Sequence, residues 1–316
     1  MSRRKFFYLK IVIGLALLGL ISWMVDPQNI LSALADVRVA FVAWAAALMP
    51  VNIALQEYKW RYLVRLVKPE VKAGQTLGSL LGGMTFGIVT PGRLGEYGRT
   101  LLIPDTPALK LVGLTVIDKF YNLGLTAALG LAALFTLPWA REFLGGGYAY
   151  KGTLIAIAAL DLTLLYFALD PRPVRSLIYA VQLLLPKGDK VAQIAGGIDR
   201  FTSRQAVVVL LVTMLHYAVF LLQYFILLNG FTALNFIFSA RGAAATLFLK
   251  SSLPIAIGDL GVDQIVAVQF FSQFNVPAEA AFNASLLLFA LNVLIPALAG
   301  VIFVGRLPLT KSAESA

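Results

Sequence analysis

Long apolar runs alternate with short, strongly basic segments along this chain, and that alternation predicts its architecture. A helix that crosses a bilayer needs about 20 predominantly apolar residues. Runs of this kind lie at residues 7–25, 39–56, 116–138, 151–169, 206–228 and 282–304, which predicts six full spans. Two further apolar stretches, 73–90 and 242–274, differ in kind: they are rich in Gly, Ser and Thr, and Gly and Pro break them.

Charge sets the orientation. Residues 1–10 hold Arg3, Arg4, Lys5 and Lys10, and residues 57–72 hold Lys59, Arg61, Arg65, Lys68 and Lys72. Residues 170–204 hold Arg172, Arg175, Lys187, Lys190, Arg200 and Arg204, and the tail holds Arg306 and Lys311. The loops between are poor in cations, and cytoplasmic loops are the ones that collect Lys and Arg. All four basic segments and both termini are therefore expected in the cytoplasm, with 170–204 as a cytoplasmic loop. Parity then requires 73–115 to start and end inside, and 229–281 to start and end outside. The two broken stretches read as re-entrant hairpins that enter from opposite faces.

The halves 39–138 and 206–304 consequently have opposite orientation. Their hairpins echo each other, with Gly92-Arg93-Leu94-Gly95-Glu96 in one, Gly258-Asp259-Leu260-Gly261-Val262 in the other, and Pro91 and Pro254 shortly before. Inverted repeats with broken helices are the build of many secondary transporters. The expected fold is an all-α polytopic membrane protein, about six spans plus two re-entrant hairpins in an inverted repeat, with residues 1–316 as a single transmembrane domain.

Composition agrees and removes competing classes. The chain is 59% hydrophobic with a mean hydropathy of +0.82 and only 13% charged residues, against about 25% charged in soluble domains. Its net charge of +10 follows the membrane-orientation pattern, so no nucleic-acid partner is expected. With no cysteine and the single histidine His216, thiolate sites, imidazole metal clusters and Ser-His hydrolysis fall away. No metal or cofactor is expected, and no phosphate-binding loop for a nucleotide appears. The apolar run after Lys5 is too long for a secretory leader and lacks its cleavage site, so it reads as a retained first span.

Non-helical backbone at membrane depth survives only where protein or a water-filled cavity surrounds it. Two hairpin tips entering from opposite faces meet near the midplane, and a helix is expected to restart near Glu96 and near Val262. Free N–H groups there suit an anion; alternatively the glycines serve only close helix packing. The substrate-binding candidates are Pro91, Gly92, Arg93, Gly95, Glu96 and Arg99 at the first tip, and Lys250, Pro254, Gly258, Asp259, Gly261 and Asp263 around the second. Arg93 and Lys250 are the candidate cations for a phosphate, with Glu96, Asp259 and Asp263 neutralising them in the empty site. Arg99 is far enough along to reach the cytoplasmic interface. Glu96, Asp118 and Asp161 are the candidates for proton coupling, since intramembrane carboxylates point to function. Asp118-Lys119 equally suits pairing with cytoplasmic loop groups, and mid-span Asp161 equally suits a helix–helix hydrogen bond. His216 reads as a packed polar residue, Gln56 to Arg61 as an interfacial anchor, and 26–38 as an amphipathic surface segment.

Four pieces together carry a resemblance: Lys59-Trp60-Arg61-Tyr62-Leu63, Thr90-Pro91-Gly92-Arg93-Leu94-Gly95-Glu96, the charged Asp118-Lys119, and Pro254 through Gly261-Val262. The chain resembles, over nearly its whole length, the flippase-like family that includes the transmembrane part of lysylphosphatidylglycerol synthases, also called UPF0104. It departs from that pattern in the second hairpin, where Ile255-Ala256-Ile257 separates Pro254 from Gly258 and Asp259 takes a usually small position. Asp118-Lys119 also stands where Glu-Arg is usual. The resemblance implies movement of a lipid across the bacterial cytoplasmic membrane, such as a phospholipid (aminoacylated ones included), a polyprenyl phosphate or polyprenyl-linked sugar, or a hopanoid-type lipid. The sequence ends soon after the last span, without the soluble aminoacyl-transferase domain of those synthases. The lipid is therefore expected from a separate lipid-modifying enzyme. Two other readings stay open: an integral-membrane enzyme on a lipid phosphate with Glu96 or Asp259 as general base, and a scaffold for a lipid-modifying enzyme.

Overall fold

The computed structural model describes residues 27–90, 92–170, 172, 176, 188–253 and 261–305. Among these the fold is helical, with no strand. In chain order the helices are α1 (Pro27–Ala35), α2 (Val39–Val64), α3 (Ala73–Ile88), α4 (Ala108–Phe135), α5 (Pro138–Phe143), α6 (Tyr148–Leu169) and α7 (Gly188–Gly196). They continue with α8 (Ser203–Phe231), α9 (Phe236–Ser252), α10 (Val262–Phe271), α11 (Ala278–Phe289) and α12 (Ile295–Val304). A 3-10 segment, Leu94–Leu102, lies between α3 and α4, and a π-helical turn, Ala290–Leu294, joins α11 to α12.

Four helices are long and apolar enough to cross a membrane: α2, α6, α8 and the continuous run from Ala278 to Val304. They correspond to four of the six expected spans; a fifth, 7–25, lies outside the described residues. The sixth, 116–138, begins earlier than its apolar run suggests, because α4 is a 28-residue helix from Ala108. Its first half carries Lys110, Asp118 and Lys119, so this half needs polar partners rather than lipid. By contrast α6 buries no residue at all and turns Ile155 and Leu162 outward, as a lipid-facing helix does. The expected surface segment is α1, whose Ile30 is buried against Phe282 and accepts a hydrogen bond from Asn283 at 2.9 Å.

The chain reverses after α3 because local chemistry forces it to. Gly92 takes φ +55° and Arg93 φ +56°, a left-handed conformation that glycine adopts freely and arginine does not. Thr90 Oγ1 accepts from the N–H of Gly95 at 2.6 Å, and any side chain at Gly95 would run into the Phe86 carbonyl. The 3-10 segment therefore folds back flush on α3. After α9 the stretch 254–260, with Pro254, Gly258 and Asp259, lies outside the described residues, as does Pro91. Gly261 takes φ +86°, and α10 starts at the next residue.

Packing joins distant segments. α2 lies along α8, α12 crosses α3, and α4 crosses α9. One apolar cluster surrounds Trp60, Leu63, Leu111, Leu114 and Phe201, and another surrounds Tyr224, Leu227, Phe271, Ala281 and Leu288. Between these clusters lies the cavity.

Candidate functional site

Three carboxylates organise the charged part of this cavity. Asp118, on α4, sits between Lys59 of α2 at 2.8 Å and Arg99 of the 3-10 segment at 3.0 Å. Both cations are only 2% exposed. Lys59 also donates to Asn122 at 2.7 Å and to Thr213 at 3.2 Å, and the Arg99 guanidinium stacks 3.7 Å from the Trp60 ring. A buried charge is tolerated when it is paired and its remaining donors are satisfied, and this triad meets both conditions. Glu96 pairs with Arg93 at 2.6 Å and with Lys119. Asp263, in the first turn of α10, pairs with Lys250 of α9 at 2.9 Å.

Arg93, Glu96, Arg99, Asp118, Lys119, Lys250 and Asp263 all line one cavity of about 620 Å³, a size typical of small-ligand sites. Neutral groups line it too: Asn52 and Gln56 from α2, Thr213, His216 and Tyr217 from α8, and Asn292 from the π-helical turn. Asn52 ties three elements together, donating to Gln223 of α8 at 3.3 Å and to Asn292 at 2.6 Å.

The predicted site residues sort plainly against this geometry. Gly92, Arg93, Glu96, Arg99, Lys250 and Asp263 come together on the cavity wall. Gly95 does not reach it and serves the close approach to Phe86. Gly261 caps α10. Pro91, Pro254, Gly258 and Asp259 lie outside the described residues. Asp118 joins the cavity, whereas Asp161 stands apart on α6 with its Oδ1 lacking any hydrogen-bond partner.

Three expectations are corrected. Arg99 is not at an aqueous interface, because Asp118 and Trp60 hold it inside. Asp118-Lys119 pairs with Lys59, Arg99 and Glu96 rather than with cytoplasmic loop groups. Lys59 does not snorkel within an interfacial anchor, since α2 runs on to Val64 and carries Lys59 and Trp60 into the core. At the first tip the Gly95 N–H is held by Thr90 and that of Glu96 by the Arg93 carbonyl at 3.0 Å, and at the second the Gly261 N–H is held by Gln264 at 2.8 Å.

Sequence reasoning missed Lys119 and the amides Asn52, Gln56 and Asn122 as cavity residues, and Lys59 as the buried partner of Asp118. A signal existed for the amides, because uncharged polar residues inside an apolar helix need a partner. Asn52 and Gln56 are one turn apart in α2, as are Asp118 and Asn122 in α4.

Helices of this length and apolarity, together with charged residues gathered on an internal cavity, define a multi-pass α-helical membrane protein. The profile of the lysylphosphatidylglycerol synthase transmembrane region matches residues 7–300, and the chain belongs to that family. A protein named glycosyltransferase AglD, from Haloferax volcanii, is 27% identical, the match covering 61% of this chain and 35% of that relative. The chain thus spans about a third of that curated protein's length. No solved structure gives a significant match.

Proposed function

We propose that this protein is a lipid transporter that moves an anionic or polyprenyl-linked lipid between the leaflets of the bacterial cytoplasmic membrane. The observation that carries the reading is the single cavity on which Arg93, Glu96 and Arg99 from one hairpin region meet Lys250 and Asp263 from the other. Five cations (Arg93, Arg99, Lys119, Lys250 and, behind Asp118, Lys59) face three carboxylates among the described residues. That surplus suits a phosphate headgroup. In the empty site Glu96 and Asp263 neutralise Arg93 and Lys250; an entering phosphate takes over those cations.

Packing supports the inverted repeat. If α2, α3, the 3-10 segment and α4 correspond to α8, α9, α10 and the α11–α12 run, exchange of the halves turns the α3–α12 crossing into the α9–α4 crossing. Both crossings occur. The hairpins then enter from opposite faces, with both termini and 170–204 in the cytoplasm. Rocking of the halves exposes the cavity to each leaflet in turn, while the acyl chains stay in the bilayer.

Leaflet-resolved lipid movement in proteoliposomes tests this, with tail-labelled polyprenyl phosphate and phosphatidylglycerol. Arg93→Ala and Lys250→Ala are each expected to slow movement by more than about tenfold, the value of one charge-assisted hydrogen bond to phosphate, in protein that stays monodisperse. Wild-type rates in both variants would remove the site assignment. Product formed from the lipid in detergent, where there are no leaflets, would favour an enzyme instead.

A further inference from the structure

A second concavity, of about 470 Å³, lies between α2, α3 and α12. Ile53 and Ala54 of α2, Gly74 and Leu77 of α3, and Pro296 and Ala299 of α12 give its apolar lining. Ala54, Gly74 and Ala299 are exposed, and a side chain at Gly74 would meet open space. The concavity is therefore an open groove, and α2 and α12 belong to runs that are long and apolar enough to cross a membrane, so it opens on hydrocarbon. Glu57 is the one ionisable group among the described lining residues. It accepts from the Thr76 hydroxyl at 2.5 Å and pairs with Arg61 at 3.5 Å.

Position along α2 gives the depth of the groove. It runs from Met49 to Glu57, which is about 12 Å at the helical rise. Its inner end lies at the middle of α2, where Asn52 donates to Asn292 at 2.6 Å, and Asn292 in turn lies at the middle of the run Ala278–Val304. One leaflet takes up about half of the ~30 Å hydrocarbon core. The groove thus spans about one leaflet, from near the midplane to the interface at the basic segment 57–72. It is separate from the central cavity, because α2 turns Asn52 and Gln56 to the cavity and Ile53 and Glu57 to the groove.

The cations of that segment divide into two sets. Lys59 is held by Asp118, and Lys68 donates to the Pro104 carbonyl at 2.8 Å. Arg65 and Lys72 are exposed, and Arg61 holds Glu57 through Nε, which leaves its two terminal nitrogens for a phosphate. Arg61 stands one turn beyond Glu57 on α2, and Lys72 directly precedes α3, so both flank the outer end of the groove.

We propose that this groove is a binding site for a phospholipid with an anionic headgroup, one acyl chain lying in the groove and the phosphate between Arg61 and Lys72. The chain gains little hydrophobic energy on leaving the bilayer, which is as apolar as the groove. Selectivity comes from the charges at the mouth, where a bidentate arginine suits a phosphate and a choline would add a further cation. The bound lipid bridges α2 and α12, which lie in opposite halves of the proposed repeat.

Proteoliposomes of phosphatidylcholine carrying the full chain test this, with trace phosphatidylglycerol or phosphatidylcholine bearing a diazirine in one acyl chain. Illumination and peptide mapping give the labelling of α2 residues 49–57 relative to α6, which reports ordinary contact with bilayer lipid. Phosphatidylglycerol is expected to give a ratio about tenfold above that of phosphatidylcholine, the worth of one hydrogen bond to a charged group. Arg61→Gln is expected to remove the difference. Lys72→Gln, at an exposed position, is expected to reduce it and serves if Arg61→Gln does not fold once Glu57 loses its partner. Ala54→Phe fills the groove and is expected to lower its labelling by both lipids, with α6 labelled as before. Equal ratios for the two lipids in wild type would overturn the inference, because the groove would then take any bilayer chain. Groove labelling by neither lipid would overturn it as well, and would mean that protein, such as the first span 7–25, fills the groove. Both outcomes leave the lipid-transport reading standing, since lipid movement is measured separately.

Discussion

Asp118→Asn is expected to destabilise the folded protein by about 3–5 kcal/mol, the cost of stripping the counter-charge from a buried pair. The reason is arithmetic. Asp118 answers two buried cations at once, Lys59 at 2.8 Å and Arg99 at 3.0 Å. Removing its charge leaves both uncompensated on elements that pack together, α2 and the 3-10 segment. Lys59→Met makes the sharper comparison. It leaves Asp118 and Arg99 as a balanced pair, and the neutral acceptors Asn122 and Thr213 lose only a hydrogen bond each. Its expected cost is smaller, about 1–3 kcal/mol from acceptors left unmet. Thermal unfolding of the two variants in one detergent, read by loss of the monodisperse species, gives the order. Equal losses, or a greater loss in Lys59→Met, would show that Asp118 is not the hub of the triad. The functional link is direct, because the triad fixes the 3-10 segment that carries Arg93 and Glu96 into the cavity.

The apolar runs of α2, α6, α8 and the stretch ending at Val304 were legible because lipid demands a continuous apolar surface, and that demand is written into sequence residue by residue. Positions where protein replaces lipid were less legible. Lys59 sits in a sequence, Glu57-Tyr58-Lys59-Trp60-Arg61, that looks like an interfacial anchor, and only tertiary contact decides which side chains snorkel. Here α2 and α8 run on beyond their apolar cores, and the counter-charge for Lys59 comes from Asp118, far along the chain. Arg99 misled for the same reason: its distance from the tip along the chain says little once a 3-10 segment folds back on α3. Glu96, Arg93, Lys250 and Asp263, which share the cavity wall, stood out in the sequence because an ionisable group beside Gly and Pro within an apolar stretch has few structural uses. Thr90 and Gln264 supply local acceptors for the Gly95 and Gly261 amides that motif spacing does not reveal. The amides on the cavity were missed because single amides in apolar helices, such as Asn52 and Asn292, are ordinary one at a time. Their meaning comes from convergence.

Two glycines carry the second large prediction. A Cβ added at Gly300 of α12 would run into the Leu81 carbonyl of α3, and one added at Gly130 of α4 would run into Phe248 and come within 3.0 Å of the Ala244 carbonyl of α9. Each marks a close crossing of two helices, α12 over α3 and α4 over α9, where small residues let backbones approach. Glycine to alanine ordinarily strengthens a helix by about 1 kcal/mol. Here the added methyl meets backbone, which cannot rotate away, and forcing it in costs about 1–3 kcal/mol or more. Gly130→Ala and Gly300→Ala are therefore both expected to lower stability despite their better propensity. Gly124→Ala, on the same helix as Gly130 but facing open space, is expected to be neutral or stabilising. Unfolding temperatures of the three variants check this, and a destabilised Gly124→Ala would show that added bulk anywhere on α4 is the cause. If the halves are inverted repeats that rock on these crossings, Gly130→Ala and Gly300→Ala should also slow lipid movement by similar factors. Loss of transport in one variant alone would mean that the crossings play different parts, and that the two halves share packing without sharing motion.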